Sequence, residues 1–259
     1  MKILITNDDG IESPGIRALF EMLRDQAECL VVAPHKECSA AGHSISLYRH
    51  IAVETVSLGR NFKGYSIEGT PADCVKFAIA ELAKAKLDLI ISGINLGLNS
   101  GVSVYYSGTV SAAREGLINE IPSVAISQAK DQTRDFDYAL KLIRNLIKGY
   151  QNHVLPKDTF LNINIPPVVS SEVKGIRIAK QAHSKFVEWF EENEAGSNGK
   201  KSYAMRGDIH LINPDGTSDE EVLKAGFASI TPLQLDLTHY ERISDLNKWM
   251  RDHWKEHNS

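Results

Sequence analysis

Short apolar runs alternate along the first part of the chain with stretches in which apolar residues recur at three- and four-residue spacing. The first run, Ile3-Leu4-Ile5, is continuous, which predicts a strand covered on both faces, as in a parallel sheet. Cys29-Leu30-Val31-Val32-Ala33 (closed by Pro34), Leu87 to Ser92 and Ser123 to Ser127 predict further buried strands. Between them, Ile16, Leu19, Phe20 and Leu23 mark a helix from about Pro14 to Asp25, with Ser13 as N-cap and Pro14 at the first helical position. Thr70-Pro71 opens a helix through about Leu82, and Thr109 to Asn119 and Asp137 to Tyr150 predict two more. Alternation from Ile45 to Ile67 around Leu58-Gly59-Arg60-Asn61 suggests a β-ribbon, and Phe160 to Ile165 alternates with Asn162 and Asn164 before Pro166-Pro167 stops it. The strand–helix–strand succession predicts an α/β fold: a doubly wound, mostly parallel sheet with right-handed crossovers.

The pattern changes after Pro167. Gly175 to Ala182 and Phe227 to Thr231 read as strands, and Asp219 to Leu223 as a short helix. Ser184 to Ser202 is polar and charged and reads as a solvated loop or hairpin tip rather than a binding patch. From Arg242 to Trp254, Leu246, Trp249, Met250 and Trp254 form an apolar helical stripe. For one such stripe, packing on the chain's own core is the default, and a partner subunit is the alternative.

Composition narrows the class without naming it. The 259 residues, 42% hydrophobic and 24% charged, suit a globular chain with a sizeable core. A net charge of −4 argues against a basic nucleic-acid-binding surface, so no nucleic-acid duplex is expected as partner. Three cysteines, Cys29, Cys38 and Cys74, show no CxxC spacing and point to a reducing, cytoplasmic setting. Asn7-Asp8-Asp9 interrupts the first hydrophobic run, so no cleavable signal peptide is expected. No apolar stretch approaches the roughly 20 residues of a membrane helix, so no membrane is expected as partner.

The candidate chemistry lies where strands end. Asp8 and Asp9 follow the first strand, and two adjacent carboxylates repel unless a cation sits between them. Gly10 permits the turn that aims both at one point. The same string could be a plain solvated turn. A second loop, His35 to Gly42, has small residues whose backbone N–H groups could face an anion. A third, Ser92 to Gly101, is rich in glycine and asparagine and continues through Tyr105 to Ser111, where a helix begins. Unpaired N–H groups at a helix start favour a phosphate. One side of the crevice thus suits a hard, oxygen-liganded cation such as Mg²⁺ or Mn²⁺, and the other a phosphoryl group. The scattered histidines make no zinc motif. Asn95 and Asn99 could equally stabilise turns, and Thr109 could be an ordinary N-cap.

Ile5-Thr6-Asn7-Asp8-Asp9-Gly10-Ile11, Gly93-Ile94-Asn95-Leu96-Gly97 and Tyr106 to Gly116 together resemble the survival protein SurE family. The likeness extends through Ile67 to Cys74, Leu161 to Pro166 and Ser229 to Leu233, nearly the whole chain. It implies a metal-dependent nucleotidase that removes phosphate from nucleoside 5′- and 3′-monophosphates, with short polyphosphate as a further substrate. It implies one divalent cation per subunit, Mg²⁺ or Mn²⁺, on Asp8, Asp9, Ser39 and Asn95. Asp8, Asp9 and Asn95 would be catalytic. Phosphate contacts would fall on Ser39, Gly42, Asn95, Ser107, Gly108, Thr109 and Ser111. The implied fold is one domain over residues 1–259: a Rossmann-like core to 167, then a projecting hairpin and a C-terminal helix that build a homodimer or homotetramer. The chain departs from the family pattern between Lys185 and Arg206. A phosphatase forming an aspartyl-phosphate is the rival enzyme, weakened because its usual Asp-x-Asp spacing is absent. A non-catalytic, metal-dependent nucleotide-binding sensor is the rival outside enzymes.

Overall fold

The computed structural model describes residues 1–57, 63–130, 135–152, 158–193 and 201–254. Eleven strands and six α-helices follow in chain order among these residues. They are β1 (Lys2–Thr6), α1 (Pro14–Leu23), β2 (Glu28–Pro34), β3 (Val53–Ser57), β4 (Lys63–Ile67), α2 (Pro71–Phe77), β5 (Leu89–Leu96), α3 (Gly108–Ile118), β6 (Ser123–Gln128) and α4 (Asp137–Asn152). Then come β7 (Phe160–Ile165), β8 (Ile176–Ile178), β9 (Ser184–Asn193), β10 (Ser202–Leu211), α5 (Asp219–Lys224), β11 (Ala228–Leu233) and α6 (Tyr240–His253).

Nine strands form one sheet in the order β3-β4-β2-β1-β5-β6-β7-β11-β8. The run from β4 to β7 is parallel throughout, and β3 and β11 each pair antiparallel with their neighbours β4 and β7. The doubly wound α/β fold is therefore observed. Alternation along β1 explains its layers: Ile3 and Ile5 pack with α1 and α4, while Leu4 packs on the other face with Cys74, Val75 and Ala78 of the α2 segment. Each fully buried Ile, Leu or Val side chain among them contributes about 1.5–3 kcal/mol.

Winding sets the site. The chain proceeds from β1 outward through β2 and β4, then returns to place β5 on the other side of β1. That reversal leaves a crevice at the carboxyl ends of β1 and β5, where open α/β sheets bind ligands.

Several expectations shift. The ribbon is shorter than its alternation suggested, with β3 and β4 paired from Val53↔Ile67 to Ser57↔Lys63; its expected turn, Leu58-Gly59-Arg60-Asn61, lies outside the described residues. The strand expected from Gly175 to Ala182 is only β8, Ile176–Ile178. The polar stretch after Ser184 is not a loop but enters the expected hairpin, whose strands β9 and β10 pair antiparallel from Ser184↔Leu211 to Asn193↔Ser202. The segment Gly196 to Lys200 lies outside the described residues. The default expected for the last helix is overturned. Residues 234–253 are all exposed, including Leu246 at 60% and Trp249 at 50%, so the α6 stripe meets no core of its own chain. No described helix is long and apolar enough to cross a membrane.

Candidate metal and phosphate site

The acidic wall is built by its own turn. Asn7 Nδ2 donates to Gly10 O (2.9 Å) and to Ser13 Oγ (2.6 Å), while the Gly10 N–H donates to Asn7 Oδ1 (3.2 Å). Gly10 sits at φ +97°, a conformation that glycine adopts without penalty. Ser13 then caps α1, so the turn and the helix share one anchor. Between these anchors Asp8 and Asp9 project into a cleft of about 550 Å³, lined also by Glu37, Ser39, Asn95 and Ser107.

Long-range bonds close the other sides. The Thr109 hydroxyl donates to Asp8 Oδ1. Asp8 O accepts the Cys38 N–H at 2.8 Å, and the Gly42 N–H donates to Tyr106 O at 2.9 Å. His43 Nε2 meets Glu115 Oε2 at 2.9 Å, while Lys76 Nζ sits 2.8 Å from Glu115 Oε1. The Ser39 loop is thus sewn to both β1 and α3.

The electrostatics favour a cation. Asp8 is only 6% exposed, and burial raises its carboxyl above the ordinary range. Asp9 is pushed up to about 6, first by burial and then by the charge on Asp8. Glu37 adds to the same negative field, and Lys130 at the rim opposes it. Asp8, Asp9, Ser39 and Asn95 all line the one cleft, and Asn95 Nδ2 donates to Gly97 O at 2.7 Å, so the amide is oriented through its nitrogen. Among the described residues no three His, Cys, Asp or Glu side chains gather as a metal-binding group. The donor set here is two carboxylates, a hydroxyl and an amide oxygen. All are hard oxygen donors, and they fit Mg²⁺ or Mn²⁺ rather than zinc.

The expected phosphate contacts divide. Ser39, Asn95 and Ser107 line the cleft. Ser107, not Thr109, is the N-cap of α3, accepting the Val110 N–H at 3.0 Å. Thr109 reaches the site through Asp8. Gly108 lies against Asp8: a Cβ there would come within 2.7 Å of Asp8 Cβ. The Ser111 hydroxyl is fully buried and donates to Gly108 O at 2.8 Å, so it turns into the helix and not into the cleft. The second loop is no anion nest at Cys38, Ala41 or Gly42, whose N–H groups are all taken by protein carbonyls. Close approach at Gly93 is to β6 rather than to a ligand, since a Cβ would lie 2.3 Å from Ile126 O.

Lys130, Glu37 and Ser103 also line the cleft, where residue types alone assigned them no role, together with Asn99 of the third loop. Lys130 follows the carboxyl end of β6, so the strand-end rule that found Asp8 could have found it. Asn162 and Asn164 donate to Asn99 O (2.8 and 3.3 Å), which explains the polar alternation of β7.

Residues 3–188 match the family model described as survival protein SurE. The chain belongs to the survival protein SurE family. It is 42% identical over 249 residues to the 5′-nucleotidase SurE of Thermoanaerobacter sp. (strain X514), covering 96% of this chain and 98% of that protein. It is 39% identical over 251 residues to the 5′-nucleotidase SurE of Heliobacterium modesticaldum, covering 96% of this chain and 92% of that one. The crystal structure of the SurE protein from Aquifex aeolicus superposes with a TM-score of 0.79 at 34% identity, covering 96% of this chain and 99% of that chain.

Proposed function

We propose that this chain is a metal-dependent 5′-nucleotidase of the SurE family. It hydrolyses nucleoside 5′- and 3′-monophosphates to nucleoside and phosphate, and acts on short polyphosphate as a further substrate. One observation carries the reading: Asp8, Asp9, Ser39 and Asn95 share one cleft with Ser107, the N-cap of α3. Asp8, Asp9, Ser39 and Asn95 would hold one Mg²⁺ or Mn²⁺ per subunit. When bound, that cation neutralises phosphate oxygens and acidifies a water. Thr109 fixes the orientation of Asp8 by donating to its Oδ1. Ser107 and the Gly108 N–H at the start of α3 would face the phosphoryl group and take up its equatorial charge, the Val110 N–H being held by Ser107. Asn95, pinned by Gly97 O, presents its oxygen at a fixed position.

The chain forms one catalytic domain over 1–259, with residues 168–259 supplying the hairpin and the oligomerisation segment. The exposed α6 stripe supports a homodimer or homotetramer. The three free cysteines support a cytoplasmic setting. Incubation of purified protein with AMP should release inorganic phosphate in Mg²⁺ or Mn²⁺ and none in EDTA. Saturable AMP binding without phosphate release, with either ion, would reduce the chain to a sensor.

A further inference from the structure

The cleft wall from Ser103 to Ser107 turns on itself: the Tyr106 and Ser107 N–H groups both donate to Ser103 O, at 3.1 and 3.0 Å. Its root, Gly101-Val102, is held from elsewhere in the chain. The Gly101 N–H donates to Asp219 Oδ2 at 3.1 Å, and Gly101 O accepts from Gln181 Nε2 at 2.8 Å. The Val102 N–H donates to Ser184 Oγ at 2.9 Å, and that hydroxyl donates to Glu220 Oε1 at 3.0 Å. The second oxygen of Asp219 accepts the Ala182 N–H at 2.9 Å. One carboxylate therefore grips the wall's root with one oxygen and the base of the β9–β10 hairpin with the other. Asp219 has no exposed surface. The joint has no slack: a Cβ on Gly101 would lie 2.1 Å from Glu220 Oε1 and 2.3 Å from Ser184 Oγ. Gly101 also holds φ at +51°, in the left-handed region.

We propose that Asp219 is a positioning residue for the reaction, clamping Gly101 to the hairpin base so that the root of the hairpin sets where Ser107 and the start of α3 stand against Asp8. The inference rests on the phosphatase reading for its kinetic consequence and on geometry alone for the clamp. Asp219 touches no substrate. Its effect passes through Gly101 and the short turn to Ser107.

Asp219→Ala strips the Gly101, Ala182 and Glu220 N–H groups of their acceptor and endangers α5, so Ser184→Ala and Gln181→Ala are the primary variants. Neither residue lines the cleft. With AMP as substrate, kcat of the Ser184→Ala, Gln181→Ala double variant should fall about tenfold, with KM within about twofold and little change in Tm. Asp219→Asn, which keeps an acceptor oxygen, should fall less than Asp219→Ala. Hydrogen exchange gives a readout independent of turnover: amides from Val102 to Ser107 should exchange about tenfold faster in the double variant, with β1 and β5 unchanged. Wild-type kcat in both the double variant and Asp219→Asn overturns the proposal, as does unchanged exchange at Val102 to Ser107 in both. A wild-type protein that releases no phosphate defeats the functional reading instead, and exchange alone then decides the clamp.

Discussion

The two walls of the cleft are held in opposite ways. On the acidic wall, the bonds that shape the turn, Asn7 to Gly10 and Asn7 to Ser13, span at most six residues. On the facing wall, the Asn99 N–H donates to Asn164 Oδ1 across 65 residues, and Gly101 reaches Asp219 across 118. A locally closed turn forms wherever its own string folds. A wall tied at long range exists only when β7, the hairpin base and α5 are all in place. The acidic wall should therefore fail by losing its chemistry, and the facing wall by losing its position.

Asp8→Asn tests the first half of that contrast and carries the largest expected effect. The amide keeps an oxygen for Thr109 but gives up the carboxylate, so kcat should fall by more than about 100-fold. Fold stability should move the other way. Burial already raises the Asp8 carboxyl, so removing that charge in the presence of chelator should leave Tm unchanged or higher. Turnover within about tenfold of wild type, with metal occupancy confirmed, would show that the acidic wall is not the chemical one.

Gly108→Ala attacks the contact between the walls. Its new Cβ would lie 2.7 Å from Asp8 Cβ and 3.0 Å from Pro71 Cγ, so α3 must back away. We expect kcat to drop about 10- to 100-fold and stability by about 1–3 kcal/mol. A variant that keeps wild-type kcat while losing stability would show that the spacing of the walls is not critical.

The tether of the Ser39 loop to α3 is the next largest effect. His43→Ala leaves Glu115, 2% exposed, with Lys76 and Asn119 as its remaining side-chain partners. Turnover should fall severalfold and stability by about 1.5–3 kcal/mol, the range for hydrogen bonds to charged groups. Acid should break this tie and a second one, from Asp73 of α2 to Ser46 and Thr70. Burial raises both Asp73 and Glu115, but bonds from Ser46 and Thr70 to the first, and from His43 and Lys76 to the second, outweigh it and hold both below their ordinary values. A carboxyl depressed in the folded state stabilises the fold above its unfolded value and loses that contribution as pH falls through the folded one. With ordinary values of 3.8 and 4.5, the loss should begin near there and continue below. Denaturant midpoints measured against pH should show a flatter acid limb in Glu115→Gln. Asp8 and Asp9, both raised, are relieved by the same acidification.

The same distinction explains what the sequence made legible. The acidic turn, α1 with its Ser13-Pro14 start and the α2 start at Thr70-Pro71 are local, and the string predicts each of them. The doubly wound sheet followed because its buried strands are continuous apolar runs. Illegible were features whose partners lie far away: that Thr109 answers to Asp8, and that Gly93 and Gly101 are small for their protein neighbours rather than for a ligand. The α6 stripe is a third case. Helical periodicity reveals an apolar face, but not what covers it, and here the chain's own core does not.

Ser13→Ala should have the smallest effect and is the sharpest check on local closure. The substitution removes the acceptor for the Ile16 N–H (3.5 Å) and for Asn7 Nδ2 (2.6 Å), so α1 loses its cap at a cost of about 1 kcal/mol. Asn7 still holds Gly10 at both its N–H and its carbonyl. The turn therefore retains two of its three closures, Asp8 stays pinned by Thr109 and Cys38, and kcat should remain within about twofold of wild type. A kinetic loss as large as that of Gly108→Ala would mean that the acidic wall depends on the cap of α1 as heavily as the facing wall depends on its distant ties. The contrast between a wall closed within its own turn and a wall held from across the fold would then be lost.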